Sequence, residues 1–340
     1  MSSAKPTVAI LGAGSIGCYV GGCLASAGAK VTLVGRERVL SGIRSNGLMV
    51  SDYRGRSSHI DSASLTLSTH ADACTGADII LVCVKSAATE EAATHLHDHV
   101  KASATVISFQ NGIDNADRLR KILQGVHVLS GMVPFNVIDR GNGAFHQGSA
   151  GELEVETGML PDGIEALFAS CQLPLLRPAE MAGIRWGKLL LNLNNPINAL
   201  SGIPLREELA QRNFRRCLAL AQREALGLMD ACDITPSKVT PLPPTWLPTL
   251  LDTPDWLFTR AAKRMLAIDP LARSSMWEDL ELGRPTEIEW INGEVLKLAQ
   301  RCGRSAPVNA TLVELIRDAE RGGRRNWTAD ELLRVLTVAN

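Results

Sequence analysis

Residues 7–20, TVAILGAGSIGCYV, read as a strand that turns directly into a helix. Val8 to Leu11 form a short apolar run, and Gly12, Gly14 and Gly17 follow with the spacing G-x-G-x-x-G. Small residues continue along one face to residue 28, and KVTLVGR (30–36) is a second apolar run. The glycine pattern alone is weak. At the head of a β-α-β unit it is the fingerprint of a dinucleotide site. Gly12 suits a tight turn, Gly14 lets the backbone approach a pyrophosphate, and Gly17 lets the helix lie against the strand. The helix start at Ser15, Ile16 and Gly17 offers N–H groups and a favourable dipole to the anion. The bland alternative, a glycine turn without a ligand, does not account for the β-α-β context.

The end of the second strand bears on which nicotinamide cofactor fits. NAD sites usually carry an acid there for the ribose 2′-OH. This chain has Gly35 and Arg36, with Arg38 nearby. An arginine suits a 2′-phosphate, so the expectation is NADP(H), with Glu37 the one acid a single-residue shift would bring into range.

Working outward, ADIILVCVK (77–85), ATVISFQNG (104–112) and VHVLSGMVPF (126–135) are further strand candidates, and helical stretches such as TEEAATHLHDHV (89–100) fall between them. Residues 141–158 read as a hairpin or short strands. Such alternation predicts a mostly parallel sheet with helices on both faces, a Rossmann α/β domain. Ligands bind beyond the carboxyl ends of such strands, where Lys85 and Asn111 lie. A lysine escaping to water and an ordinary Asn-Gly turn are the plainer readings of those two. From about residue 178 the periodicity becomes helical, with no convincing strand. The expected division is a cofactor domain over 1–177 and an all-α substrate or dimerisation domain over 178–340. Residues 236–254 hold six prolines and cannot form one helix; a surface insertion or a flap near a cleft is the expectation.

Composition narrows the function classes. The chain has 340 residues, 45% of them apolar, and a net charge of -1. That balance argues against general nucleic-acid binding, which requires phosphate neutralisation. The eight cysteines include no C-x-x-C pair, and all are expected to be reduced, in a cytoplasmic protein. The N-terminus has no room for a signal peptide, and no apolar run is long enough to span a membrane. The seven histidines give no metal motif; HLHDH (95–99) reads as a solvated helix face. The apolar helical stretches at 214–231 and 288–299 suit a core or a homodimer interface equally.

One greasy segment, RWGKLLLNLNNPINAL (185–200), carries Lys188 and four asparagines. Buried polar groups cost free energy unless paired. If 185–195 is helical, Lys188, Asn192 and Asn195 share one face. Pro196 disturbs that phasing and leaves Asn198 unplaced. Such a stripe suits a cleft wall; the alternative is a snorkelling lysine with asparagines bonded to backbone. Downstream, Ser275 and Glu287 form a second polar cluster, for which a helix N-cap and a first-turn acid are the plainer readings. Taken together, these side chains resemble a site for a small hydroxy or keto acid.

At this point the sequence resembles the ketopantoate reductases (2-dehydropantoate 2-reductases). The likeness rests on the early glycine motif, CVKS (83–86), QNG (110–112), KLLLN (188–192), SSMWED (274–279) and TEIEWING (286–293), in that order. It implies a Rossmann domain followed by a helical domain, with the site between them. It implies NADPH-dependent reduction of ketopantoate to pantoate, a step of pantothenate biosynthesis. By resemblance, Lys188 is the general acid and Glu287 assists it. Asn192, Asn195 and Ser275 bind substrate, Asn111 and Lys85 sit at the cofactor–substrate junction, and Arg36 reads the 2′-phosphate. In the family a second asparagine often lies eight residues after the lysine, before a proline; here Pro196 takes that place and Asn195 precedes it. The segment LSGIPLREEL (200–209) lacks an asparagine that some members have. A reductase of another 2-keto acid, and a protein that senses NADP(H) without turnover, are the competing readings.

Overall fold

The apolar runs of the first half become twelve strands in the computed structural model, which describes residues 6–261 and 271–339. These are β1 (Thr7–Leu11), β2 (Lys30–Val34), β3 (Leu48–Asp52), β4 (Ser57–Ile60), β5 (Leu65–Ser68), β6 (Ile79–Val82), β7 (Thr105–Ser108), β8 (His127–Met132), β9 (Val137–Asp139), β10 (Ala144–Gln147), β11 (Leu153–Val155) and β12 (Leu175–Leu176). Helices α1 (Ser15–Ser26), α2 (Glu37–Asn46), α3 (Thr89–His97), α4 (Asn115–Ile122) and α5 (Ile164–Ser170) are interleaved with them.

The main sheet runs β12-β11-β8-β7-β6-β1-β2-β5. Every neighbouring pair is parallel except β8 with β11. Its central strands are apolar throughout because both faces are covered. Val8 and Ile10 point into a core shared with Leu24 of α1, whereas Ala9 and Leu11 point into one shared with Leu96 of α3 and Leu119 of α4. A second sheet, β4-β3-β10-β9, lies beside α1, whose Tyr19 hydroxyl donates to Gln147 on β10 at 2.6 Å. The strands over 48–68 are ones that the apolar runs did not announce: they are short, β3 alternates buried with more exposed residues, and β4 is buried only at Ile60.

One compact unit ends at Met181 and the second begins at Ala182. Among the described residues the second contains helices alone: α6 (Met181–Asn192), α7 (Asn195–Ser201), α8 (Leu205–Ala210), α9 (Arg212–Ala231), α10 (Leu247–Leu251), α11 (Asp255–Ala261), α12 (Ser275–Glu281), α13 (Ile288–Arg301), α14 (Pro307–Glu320) and α15 (Ala329–Ala339). None is long and apolar enough to cross a membrane. Buried polar links fix the helices. Gln222 of α9 donates to the Leu190 carbonyl of α6 at 3.0 Å. Glu224 of α9 accepts the N–H groups of Val308 and Asn309, both at 2.9 Å, and so caps α14.

The proline-rich stretch is folded onto this frame. It forms a 3-10 turn at Pro244–Trp246 and then α10. The guanidinium of Arg215, completely buried in α9, donates to the carbonyls of Leu251 and Thr253 at 3.1 and 2.8 Å and pairs with Asp255 at 2.8 Å. The expectation that all cysteines are reduced fails at one pair. Cys232 and Cys302 form a disulfide. They follow the C-terminal ends of α9 and α13, whose packing sets their Cα atoms 6.2 Å apart, within bridging range. Burial pushes the thiols of the other six upward, which keeps them protonated.

Candidate active site

The three motif glycines serve three purposes. Gly12 has φ +111°, and a Cβ there would lie 2.4 Å from the Val84 nitrogen, so the β1 turn fits against the loop after β6 only without a side chain. A Cβ at Gly17 would lie 2.2 Å from the Gly12 carbonyl oxygen, which fixes how closely α1 approaches the strand. At Gly14 a Cβ meets nothing within 4 Å. That position alone faces open space, and it is the N-cap of α1, with no side-chain cap. The first intrahelical bond runs from the Cys18 N–H to the Gly14 carbonyl at 2.8 Å. The N–H groups of Ser15, Ile16 and Gly17 therefore lie ahead of the helix's own ladder, in a first turn free of acidic residues. This is a cradle suited to an anion, and it sits where β1 is flanked by β2 on one side and β6 on the other, the point at which strand order reverses.

The second strand delivers its charges to the same place. The N–H groups of Gly12 and Ala13 both donate to the Val34 carbonyl, at 2.9 and 2.8 Å, so the β2 end touches the glycine turn. Arg36 is the exposed N-cap of α2, and Arg38 is exposed as well. The carboxylate of Glu37 is engaged by Arg44 of its own helix.

Lys85 and Asn111 follow β6 and β7, and both are half-buried. A knot of polar groups, invisible to motif reading, joins their loops. The Ser86 hydroxyl donates to the Asn111 carbonyl at 2.9 Å, and the Asn115 amide donates back to the Ser86 hydroxyl at 3.0 Å. Thr89 donates to Asn115 at 2.8 Å, and the Gln110 amide donates to Thr89 at 2.7 Å and to the Val84 carbonyl at 3.1 Å. Ser86, Thr89 and Asn115 are buried, so these bonds are strongly favoured over leaving the groups dry.

In the second unit Lys188 and Asn192 lie one turn apart on α6. Lys188 is half-buried, and desolvation lowers its ammonium pKa to about 8. The face beside it is closed by chain. A Cβ at Gly187 would meet the Ser237 carbonyl oxygen at 2.3 Å, and the Ser237 N–H donates to the Gly183 carbonyl at 2.8 Å.

The single stripe expected over 185–195 does not form. Helix α6 ends at Asn192, residues 193–194 make a turn, and α7 starts at Asn195 with Pro196 in its first turn. Proline has no N–H to continue the ladder, so it starts a helix here rather than extending one. Asn195 is thus phased by α7, not by Lys188. Asn198 is fully buried and structural: its amide donates to the Ile203 carbonyl at 3.0 Å and to Glu208 at 2.8 Å, and its oxygen accepts the Ser274 N–H at 2.8 Å.

The cap of α12 also differs from expectation. Ser274, not Ser275, caps the helix, accepting the Trp277 N–H at 3.1 Å. The Ser274 hydroxyl donates to the Asn195 carbonyl at 3.2 Å, which holds the start of α12 on the start of α7. Ser275, the first residue of α12, is exposed and has no capping duty. Asn195 and Ser275 are therefore brought together by one serine. Glu287 is the half-buried residue before α13 and makes no side-chain cap. Its backbone is steadied by Thr286, whose N–H donates to Glu320 of α14 at 2.8 Å. Sequence reading missed Glu208 and Asn115, and it missed the roles of Ser86 and Ser274 although CVKS and SSMWED contain them, because each acts through partners distant in sequence. No cluster of potential metal ligands occurs among the described residues, and His95 and His97 are exposed on α3.

Comparison with known proteins agrees with this architecture. Residues 8–159 match the family described as ketopantoate reductase PanE/ApbA, and residues 180–320 match the C-terminal part of the same family. A 2-dehydropantoate 2-reductase of Archaeoglobus fulgidus is 29% identical, covering 93% of this chain and 98% of the relative. One from Pyrococcus horikoshii is 26% identical over 92% of this chain and 96% of its own. The crystal structure of a PanE/ApbA family ketopantoate reductase from Ralstonia eutropha superposes with a TM-score of 0.79 at 28% identity, over 93% of this chain and 99% of that one.

Proposed function

Because the chain belongs to the ketopantoate reductase family, we propose that it reduces the 2-keto group of ketopantoate to the alcohol of pantoate, with NADPH as the hydride source. The observation that carries this reading is Lys188, a half-buried amine with its pKa lowered to about 8, one helical turn from Asn192.

Bound NADPH supplies the hydride. Negative charge then develops on the ketone oxygen, and an ammonium there stabilises the charge and gives up its proton. An amine titrating near 8 is protonated at neutral pH and is still a better acid than an ordinary lysine. Asn192, Asn195 and Ser275 supply amide and hydroxyl groups for the carboxylate and hydroxyl of the substrate. Glu287 counters the loss of hydration at Lys188 by favouring its charged form. In the first unit Gly14 and the N–H groups of Ser15, Ile16 and Gly17 suit the pyrophosphate. Lys85 and Asn111, which follow the neighbouring strands β6 and β7, are suited to contacts with the nicotinamide ribose or the substrate.

The choice of NADPH over NADH rests on Arg36. It is exposed beside the glycine turn, and the nearby acid, Glu37, is committed to Arg44. The test mixes purified protein with ketopantoate and NADPH, with NADH in parallel, and follows absorbance of the reduced nicotinamide. Rapid loss with NADPH and much slower loss with NADH is the expected result. NADPH binding without turnover would overturn the ketopantoate assignment and direct attention to other 2-keto acids.

A further inference from the structure

The carboxyl group of Glu208 is completely buried on α8 and takes no part in the chemistry above. Its Oε2 accepts from the Asn198 amide at 2.8 Å and from the Asn194 amide at 3.3 Å. Among the described residues its Oε1 has no hydrogen-bond donor, and neither has the buried Oδ1 of Asn194. An ionised carboxylate would leave both of these oxygens unmatched in a dry site. A carboxylic acid resolves both at once. Its O–H donates from Oε1 to Oδ1 of Asn194 while the Asn194 amide donates to Oε2, a cyclic acid–amide pair.

Among the described residues no neighbouring charge favours ionisation. The titratable group facing Glu208 from α9 is Cys217, whose thiol burial pushes up to about 12. Arg215 of α9 directs its guanidinium to Asp255 and to the carbonyls of Leu209, Leu251 and Thr253. Arg273, preceding α12, bonds the Gly202 carbonyl and lies over Trp277. Arg206 and Glu207 on α8 itself are exposed.

We infer that Glu208 is a positioning residue that works as the neutral acid, holding the α7 and α12 segments that carry Asn195 and Ser275 in one arrangement. The chain of bonds is short. Glu208 holds the Asn198 amide, Asn198 holds the Ser274 N–H at 2.8 Å, and Ser274 bonds the Asn195 carbonyl at 3.2 Å and caps the helix that Ser275 begins. Burial raises the Glu208 pKa to about 8, so the O–H bond to Asn194, the residue before Asn195, is present at neutral pH and is lost as pH rises past that value, while the Asn198 amide keeps its bond to the carboxylate. The functional part of this inference rests on the proposed reductase reading. Loss of the Glu208 proton misplaces substrate-binding groups and raises KM, whereas loss of the Lys188 proton lowers kcat.

The full-length protein and its Glu208→Gln variant, which keeps a neutral donor and acceptor, separate these effects. In the wild type, one glutamate carboxyl carbon followed by 13C NMR should titrate near pH 8, and the backbone amide signal of Ser274 should move with it. Both transitions should be missing in Glu208→Gln. KM for ketopantoate should rise about tenfold from about pH 7 to about pH 9 in the wild type and stay flat in the variant, while the kcat decline persists in both. A Glu208 carboxyl that titrates in the ordinary acid range, or a Ser274 amide that ignores its titration, overturns the inference. So does a variant that keeps the wild-type KM profile. If the wild type turns over no keto acid, the proposed reaction fails, and the carboxyl and Ser274 signals still decide the role of Glu208.

Discussion

At the end of β1 the backbone makes the site. Gly12, Gly14 and Gly17 have no side chains to offer, and their value lies in where a Cβ would clash and where it would not. In the helical unit the reverse holds. The groups proposed there, Lys188, Asn192, Asn195, Ser275 and Glu287, are side chains, and the segments carrying Asn195 and Ser275 are held by other buried side chains, Asn198, Glu208 and Ser274. A backbone site is specified by local spacing and tolerates change around it. A side-chain site depends on partners 76 residues apart, as between Ser274 and Asn198.

The sharpest way to break this comparison is Lys188→Ala. If one side chain carries proton donation, kcat should fall by about 10³-fold while NADPH affinity, set by the other unit, stays unchanged. Steady-state kinetics and NADPH fluorescence binding measure the two separately, and comparable turnover would remove Lys188 from the mechanism. The backbone site is tested by a pair of substitutions. Gly12→Ala forces a Cβ to 2.4 Å from the Val84 nitrogen and should lower the unfolding midpoint by several degrees, from about 1–3 kcal/mol of strain. Gly14→Ala enters open space and should leave that midpoint unchanged while weakening NADPH binding. Equal midpoints would dissolve the division of labour among the three glycines.

Arg36→Ala sharpens the cofactor side. KM for NADPH should rise by about tenfold or more, the loss of a charge-assisted contact, with KM for NADH little changed. A parallel rise for both cofactors would mean that Arg36 reads something other than the 2′-phosphate. The pH profile of kcat is the next test. Lys188 must be protonated to act, and its pKa is lowered to about 8, so reduction should be level below that pH and fall about tenfold per unit above it. The smallest signal is chemical. Thiol titration of the denatured, unreduced protein should count six free thiols and not eight. Opening the Cys232–Cys302 link, which closes a 70-residue separation, should cost stability on the order of 4 kcal/mol, with little effect on kcat.

Much of the first unit was legible because a parallel sheet announces itself through apolar runs and the glycine motif through fixed spacing. The short strands over 48–68 were not, since edge and hairpin strands alternate weakly over four or five residues. In the second unit helical periodicity was plain and helix phase was not. Pro196 marks where a helix must restart, yet whether Asn195 closes α6 or opens α7 depends on a two-residue turn that no periodicity shows. The capping role fell to Ser274 instead of Ser275 for a tertiary reason: Asn198 and Asn195 hold the Ser274 backbone and hydroxyl. The disulfide was hidden by the same cause, because helix packing, and not cysteine spacing, brings its ends together.

Gly183 and Gly187 on α6 have a consequence for engineering. Replacing helix glycines with alanine commonly stabilises a protein by about 0.5–1 kcal/mol. On α6 that route is closed, because an added methyl would meet the Ser237 hydroxyl at 2.6 Å at position 183 and the Ser237 carbonyl at 2.3 Å at position 187. Gly227, in the last third of α9, meets nothing within 4 Å. A more heat-tolerant variant is therefore better sought at Gly227→Ala, leaving α6 the two gaps into which the chain at Ser237 is seated.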